Sequence, residues 1–543
     1  MKKLFATTLL ATLTFAVATA TDYTDSLAVT IDYGGTVIEC DPDLTTISVD
    51  ENADGTYSLS LKNFILNLAG DELAIGNINI DNVPALSNAY STYLATSQTI
   101  ALEAGDDDSV TWYGPMLTGG EAIIPVTLAG KVLDDSFCAT IDIDFSGMAI
   151  TVTFGSATYQ LPNAGFEDFH SVTSGSATSD EPNAWHSFMS ATGTWASFVS
   201  TSAQTASSDD VRPGSDGTTS VLVTSRAIMG ISANGTITTG RLQAGALDAT
   251  STDNCSFLDT SVADTDANGD PFYTLLDGQP DSIAVWVKYH VGERSSSNEA
   301  NVYATASAII TDGSYYQDPE ADGETYTNVV AKAVTTAIGA ATDSDGNDAW
   351  QLITLPFDYD SYVADDAATK AILVTLSTCA VPGGGSTSSS DVDELYVDDI
   401  SLIYNAKLAS LAVAGEAVDG FDKDVLAYDI AVTTDAESIT ADDIEAVADG
   451  VGAYVDVTVE AADDATIATV VVLSCDLATS TTYTLTITTA EDTAIESVTA
   501  ACESDNASEA IYSLDGRRLQ TMGDKGVYIV KKGRNEAVKV VKK

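Results

Sequence analysis

Positive charge is what this chain has least of. Lysine and arginine together number 22, against 80 aspartates and glutamates, for a formal net charge of −58. A field of that sign repels phosphate backbones and anionic lipid surfaces, which argues against nucleic acid as a partner. Histidine is nearly missing: His170, His186 and His290 are the whole complement. No G-x-S-x-G elbow, H-E-x-x-H helix or P-loop occurs, so no motif supports catalysis. The six cysteines, Cys40, Cys138, Cys255, Cys379, Cys475 and Cys502, form no C-x-x-C pair, so zinc and thioredoxin-type chemistry are unsupported. Their simplest pairing is in chain order, 40 with 138, 255 with 379 and 475 with 502, and buried free thiols fit the spacing equally well. Beyond the N-terminus no apolar run approaches ~20 residues, so no transmembrane segment is expected. Helical periodicity is scarce, with residues 85–102 and 441–448 the only candidates.

What is present points to export and to strands. Residues 1–20 combine a basic start (Lys2, Lys3), an apolar run diluted by threonines, and the small-x-small pattern Ala18-Thr19-Ala20. That order predicts a cleaved export signal, hence a secreted or outer-surface location. No cysteine follows the cut, so lipid modification there is not expected. Nearly half the chain, 45%, is apolar, too much for a disordered acidic tract. The apolar residues alternate, as in Tyr57-Ser58-Leu59-Ser60-Leu61, Ile141-Asp142-Ile143-Asp144-Phe145 and Tyr454-Val455-Asp456-Val457. Period-two alternation buries one face of a strand and wets the other. Many such strands, bounded by Gly, Asp, Ser, Thr and Asn, predict an all-β chain of barrels and sandwiches.

Composition marks four parts after the signal. Strand-rich sequence runs over 21–158. Leu161-Pro162-Asn163-Ala164-Gly165-Phe166-Glu167 opens a unit spanning 159–404, closed by Tyr396-Val397-Asp398-Asp399-Ile400-Ser401-Leu402. An Ala/Val/Thr/Asp-rich β segment fills 405–490. Residues 491–543 end the chain, and from Ile511 the charge changes sign, with nine Lys or Arg against three acids.

The first part, through Tyr23-Thr24-Asp25-Ser26-Leu27 and Asp54-Gly55-Thr56-Tyr57, looks like a calycin-like β-barrel. Such a barrel implies either one small ligand or an interior filled by side chains. The second resembles the carbohydrate-metabolism domain of exported bacterial proteins and, more broadly, jelly-roll carbohydrate-binding modules. The opening and closing motifs carry that likeness, with Pro182-Asn183-Ala184-Trp185, Asp270-Pro271-Phe272, Pro280-Asp281-Ser282-Ile283 and Trp350-Gln351-Leu352 between them. The third looks like an immunoglobulin-like or cadherin-like sandwich, a spacer in such proteins. The tail resembles a type IX C-terminal sorting signal through Ile511-Tyr512-Ser513-Leu514-Asp515-Gly516-Arg517-Arg518 and Lys525-Gly526-Val527-Tyr528. It implies outer-membrane export machinery as a partner. A final hairpin with a basic edge that blocks strand-to-strand aggregation is the other reading.

Glycan capture needs flat aromatic faces beside polar groups for hydroxyls. Four of the five tryptophans lie in the second unit: Trp185, Trp195, Trp286 and Trp350. In residues 281–291 the odd positions Ile283, Val285, Val287, Tyr289 and Val291 form an apolar face. The even positions Ala284, Trp286, Lys288 and His290 therefore stand together on the opposite one. Trp286, Lys288 and His290 are the leading sugar-binding candidates, followed by Trp195, Trp185 and Trp350, the last two of which more often mark core positions. The jelly-roll likeness also implies one structural calcium near the joined ends of the module. Glu167 and Asp399 would be its ligands, with Asn163 adjacent. The run Asp264-Thr265-Asp266-Ala267-Asn268-Gly269-Asp270 matches half a calcium loop, but Leu275 stands where a glutamate is required. This run, like Asp343-Ser344-Asp345-Gly346-Asn347-Asp348, is expected to be a turn. The expected function is non-catalytic capture of a polysaccharide on the jelly roll. The alternatives are a polysaccharide-active enzyme (glycosidase or lyase) on the same module and a purely structural or adhesive surface protein.

Overall fold

The computed structural model describes residues 20–490 and 510–542, apart from 69–70, 202, 229, 363–367, 463–464, 515, 524 and 533–535. The export-signal pattern (but for Ala20) and the third expected disulfide, through Cys502, lie outside the described residues.

The chain is all-β, as alternation predicts. Eleven strands between Thr21 and Phe154 build one sheet. Its long members, such as Thr21–Tyr33, Tyr57–Leu68 and Asp71–Val83, curl around an interior of Leu27, Ile47, Leu59, Ile80, Leu94 and Leu128. Apolar side chains fill that interior. The expected helix at 85–102 is instead three strands, Ala85–Ser87, Thr92–Ile100 and Leu102–Glu103. Pairing of Thr92–Ile100 along the whole of Ile124–Val132 overrides its weak helical pattern. At 441–448 a single 3-10 turn, Ala441–Asp443, gives way to the strand Ile444–Ala448.

Two sheets then face one another. One has the order Thr205–Ser208, Ser220–Thr224, Glu394–Ile403, Ser282–His290, Gln351–Pro356. The other runs Thr236–Thr238, Ala371–Ser377, Ala304–Thr311, Val329–Ile338, with Thr274–Leu275 paired to Ala371–Ser377. Val223, Val285, Val287 and Val397 from the first meet Ile310, Val374 and Leu376 from the second in a common core. Leu408–Val413 and Ile444–Ala448 belong to a three-stranded sheet, and Tyr454–Ala462, Ala465–Leu473 and Ser480–Thr489 to a four-stranded one. Leu411, Val470 and Leu485 close the core between these two sheets. A four-stranded sheet over Ala510–Ser513, Arg518–Leu519, Gly526–Lys532 and Glu536–Lys542 ends the chain.

The five described cysteines are free thiols, so the bridges 40–138 and 255–379 are not made. Each sulfur is settled in its own surroundings. Cys40 packs in the interior of the first sheet, whereas Cys138 points its thiol at the Lys131 carbonyl of the neighbouring strand. Cys379 does the same with the Asn301 carbonyl, and Cys255 sits on Asn254–Leu258.

Candidate functional site

The strand Ser282–His290 carries the site. Ile283, Val285, Val287 and Tyr289 are buried in the sandwich core, and Trp286, Lys288 and His290 stand half-buried on the outer face. Ala284, on the same side, is buried. The antiparallel register sets Lys288 opposite Tyr396 and His290 opposite Glu394. Directly opposed residues on one face are close neighbours, so these four side chains form a block that neither strand makes alone.

The block is dense with charge. The Lys288 ammonium lies 4.0 Å from the Tyr396 ring centroid and 5.8 Å from that of Trp350. It pairs with the Asp210 carboxylate. Asp210 also accepts the Trp350 indole N–H at 3.0 Å. Burial pushes the Asp210 carboxyl up, but the bonds from Lys288 and Trp350 outweigh it and hold the group below its ordinary range. Burial, then the charge on Glu394, pushes the Tyr396 phenol up to about 12, so it remains a donor at neutral pH. His290 is gripped from both sides, Nδ1 at 2.7 Å from Asp348 and Nε2 at 2.9 Å from Asp391. Lys288, His290, Asp348, Ser390, Asp391, Val392, Glu394 and Tyr396 line a trough of about 420 Å³.

The bond to Asp391 raises the His290 pKa above its ordinary value; burial opposes the shift and Asp348 adds to it. A folded-state value above the unfolded one stabilises below about pH 6.5, and that contribution is lost as pH rises through the folded value. The thermal midpoint is therefore expected to fall between pH 6 and 8.5 by more in the wild type than in His290→Gln. Equal pH profiles for the two proteins would show that the double grip is not formed in solution.

The other expected sugar-binding residues divide. One face of Trp286 is covered by the Arg212 guanidinium, 5.4 Å from its ring. Arg212 is fixed in turn by Asp399 at 2.5 Å, so Trp286 is not a bare platform. Trp350 is edge-on to Tyr396 at 6.4 Å, one residue removed from those that line the trough. Trp185 corrects the expectation: it is fully buried, packed on Phe166 at 5.1 Å, with its N–H donated to the Pro162 carbonyl. No ring face is left for a sugar. Trp195 is half-buried and pairs with exposed Phe198 at 5.2 Å. It stands beside the strand Arg241–Ala244, through Ala244, and not among the residues that line the trough.

The expected calcium ligands gather at one corner, where each accepts hydrogen bonds from protein donors. Asn163, in the left-handed region at φ 46°, accepts the amides of Glu167 and Asp168 and donates to the carbonyls of Asp168 and Asn183. Glu167 accepts the amides of Thr218 and Thr219 at 3.0 Å. Those bonds outweigh burial and hold its carboxyl below the ordinary range. Asp399 Oδ2 is paired with the Arg212 guanidinium and accepts the Ser215 hydroxyl. These residues build a hydrogen-bonded corner, and Asn163→Ala is expected to cost about 1–3 kcal/mol in denaturant unfolding through the groups it orphans.

Tyr396, Glu394, Asp348, Asp391 and Asp210 were not singled out from sequence. Tyr396 and Glu394 were within reach, because they alternate with buried Leu395 and Val397. Asp210 and Asp391 sit in loops, where no periodicity identifies them.

Residues 19–157 match the calycin-like beta-barrel domain family. The first unit is thus a calycin-like β-barrel, as its opening residues suggested. No curated protein matches the chain. Among solved structures, the chain is similar to a proposed glycoside hydrolase of Bacteroides vulgatus ATCC 8482, at 17% identity over 46% of this chain and 99% of that one, with a TM-score of 0.29. A proposed glycoside hydrolase of Bacteroides thetaiotaomicron VPI-5482 aligns at 14% identity over 52% and 86%, TM-score 0.28. A proposed outer membrane protein of Bacteroides fragilis NCTC 9343 aligns at 11% identity over 66% and 96%, TM-score 0.15. None of the three fixes what this chain binds.

Proposed function

We propose that this is an exported surface protein whose central sandwich captures a neutral polysaccharide in the trough beside Lys288 and His290, without cleaving it. One observation carries the reading: Lys288, His290, Tyr396 and Glu394 form a cross-strand block that lines an open trough. Sugar hydroxyls donate and accept at once, and the trough offers both functions side by side. The Tyr396 phenol, with the Trp350 edge against it, supplies the apolar contact. Carboxylates outnumber cations, with Asp210, Asp348, Asp391 and Glu394 against Lys288 and His290, which disfavours uronate-rich or sulfated chains. Asp210, Asp348 and Asp391 are each tied to a cation, and so are poorly placed to serve as a free acid and base pair. The other modules would present the trough at the cell surface, with the 1–20 segment and the basic tail serving export.

The test is titration of the full chain with soluble polysaccharides, following tryptophan fluorescence and released sugar together. Saturable binding of modest affinity, lost in Tyr396→Ala and in Lys288→Ala with no sugar released, is expected. Released sugar would make the trough a hydrolytic or lyase site, with Glu394, Asp348 and Asp391 the carboxylates to substitute next. No binding to any glycan would overturn both readings and leave a structural or adhesive role.

A further inference from the structure

Two of the three histidines converge on one carboxylate. His170 Nε2 lies 3.4 Å from Asp266 Oδ2, and His186 Nε2 lies 3.5 Å from the same oxygen. The side chains of His186 and Asp266 are 0% exposed and that of His170 is 11% exposed. All three facing atoms are buried, with no hydrogen-bond partner among the described residues. Buried polar atoms without partners are rare and costly, and two imidazole nitrogens turned toward one orphan carboxylate oxygen require a common explanation.

The surroundings hold the three atoms ready. Asp266 Oδ1 accepts the amides of Asn268 and Asp270 at 2.8 and 2.9 Å, which anchors the carboxylate and leaves Oδ2 facing the imidazoles. His170 Nδ1 lies 3.0 Å from Asn183 Oδ1. A proton on Nδ1 satisfies that contact and leaves the Nε2 lone pair directed at Asp266. This outer hydrogen bond orients a metal-binding imidazole in the usual way. His186 is fixed by backbone bonds to Thr238 in both directions and by ring packing on Phe272 at 4.5 Å. Asp270 brings a further carboxylate oxygen within 4.8 Å of those of His170 and Asp266. Nitrogen and oxygen ligands lie about 2.0–2.1 Å from zinc, so neighbouring tetrahedral ligands stand about 3.3–3.4 Å apart, close to the separation of His170 from Asp266.

We propose that His170, Asp266 and Asp270, whose ligand atoms lie within 4.8 Å of one another, bind a zinc-class divalent transition ion, with water or His186, which reaches the same Asp266 oxygen, completing the shell. A buried imidazole nitrogen among the ligands disfavours calcium, which takes oxygen ligands. The site ties together the strand Phe169–Ser174 and the 264–270 loop and, through His186, the turn after Ala177–Pro182. Its burial gives it a stapling role. It shares no residue with the trough, so the polysaccharide reading and this one stand or fall separately. The expectation that zinc is unsupported rested on cysteine spacing alone. Likewise, the 264–270 run is a turn, but one that presents a carboxylate.

The full chain is dialysed against chelator, titrated with zinc chloride in excess calcium, and then substituted with cobalt(II). One zinc per chain that calcium does not displace, a raised thermal midpoint, and a cobalt spectrum of histidine coordination are expected. Asn183→Ala, which leaves the ligands in place, is expected to weaken zinc binding about 10–100-fold. His170→Gln, which removes a ligand, is expected to weaken it further. Zinc binding that calcium competes away, or that is unchanged in both variants, would reduce the metal to the general acidic coat and overturn the proposal. So would the absence of binding. The two imidazoles would then be read as an ion-paired cluster on Asp266.

Discussion

Asp393→Ala is expected to destabilise the central sandwich by about 3–5 kcal/mol and to abolish glycan binding with it. The Arg294 side chain is 4% exposed and that of Asp393 0% exposed, with Nη1 of the first 2.6 Å from Oδ1 of the second. Asp393 also accepts the amides of Gly292 and Ser386, at 2.9 and 2.8 Å. Arg294 reaches on to the Tyr289 phenol, which donates to the Thr378 carbonyl of the facing sheet's edge. Removing the carboxylate leaves a guanidinium buried without its counter-charge and two amides without an acceptor, each a cost that solvent cannot meet. Asp393 directly follows Ser390, Asp391 and Val392, which line the trough, so the wall should loosen as the pair is lost. Urea unfolding of the wild type, Asp393→Ala and the double variant Arg294→Met/Asp393→Leu checks the argument. The double variant removes both charges and should recover part of the loss, but not the part owed to the two amides. A single variant within about 0.5 kcal/mol of wild type, the ordinary range for surface changes, would refute it.

How much of this could be read from the sequence follows from the range of the contacts involved. The core face of Ser282–His290 was legible because each successive side chain flips across the sheet, and Ile283, Val285, Val287 and Tyr289 are buried accordingly. The same alternation brought Trp286, Lys288 and His290 to one outer face. It could not show that Arg212, from a distant loop, would cover Trp286, nor that Tyr396 would lie under Lys288. Both depend on which strands become neighbours. Trp185 illustrates the limit for single residues: its neighbours in sequence are turn-like, and only the packing of Phe166 against it decides that it is core. The corner residues Asn163, Glu167 and Asp399 do gather. The left-handed backbone of Asn163 and Asp399 and the hydrogen bonds these residues make are features that sequence does not display. Conversely, His170 and His186 lie far from Asp266 in the chain, and nothing short of the fold could join them.

Lys131→Ala is expected to uncouple the barrel from the rest of the chain. Lys131 follows Leu128 on the strand Ile124–Val132, which alternates between the barrel interior and its outer surface. By that pattern alone a lysine points to water, yet this one is 0% exposed. Its Nζ donates to the Cys475 carbonyl at 2.7 Å and lies 4.9 and 5.7 Å from the ring centroids of Tyr159 and Tyr454. One residue therefore touches the start of the central sandwich and two points of the third unit. Around it, Ser91 hydrogen-bonds the Tyr454 phenol at 2.6 Å and Asn88 donates to the Gly452 carbonyl. The Cys475 thiol faces Gln279 of the central unit. Alanine leaves a cavity where three units meet and orphans a buried carbonyl. Cavity, lost charge-assisted bond and lost cation–π contacts together suggest about 3–5 kcal/mol. Because several units are involved, the loss should appear first as a change in cooperativity. In calorimetry the barrel is expected to melt as a separate, earlier transition in Lys131→Ala. Lys131→Met, which keeps most of the volume but loses the charge and the bond to Cys475, should fall between the variant and wild type. If Lys131→Ala leaves the transitions where they are in the wild type, the junction does not couple the units. If instead the barrel separates, the buried lysine sets the geometry in which the barrel is carried beside the trough-bearing sandwich.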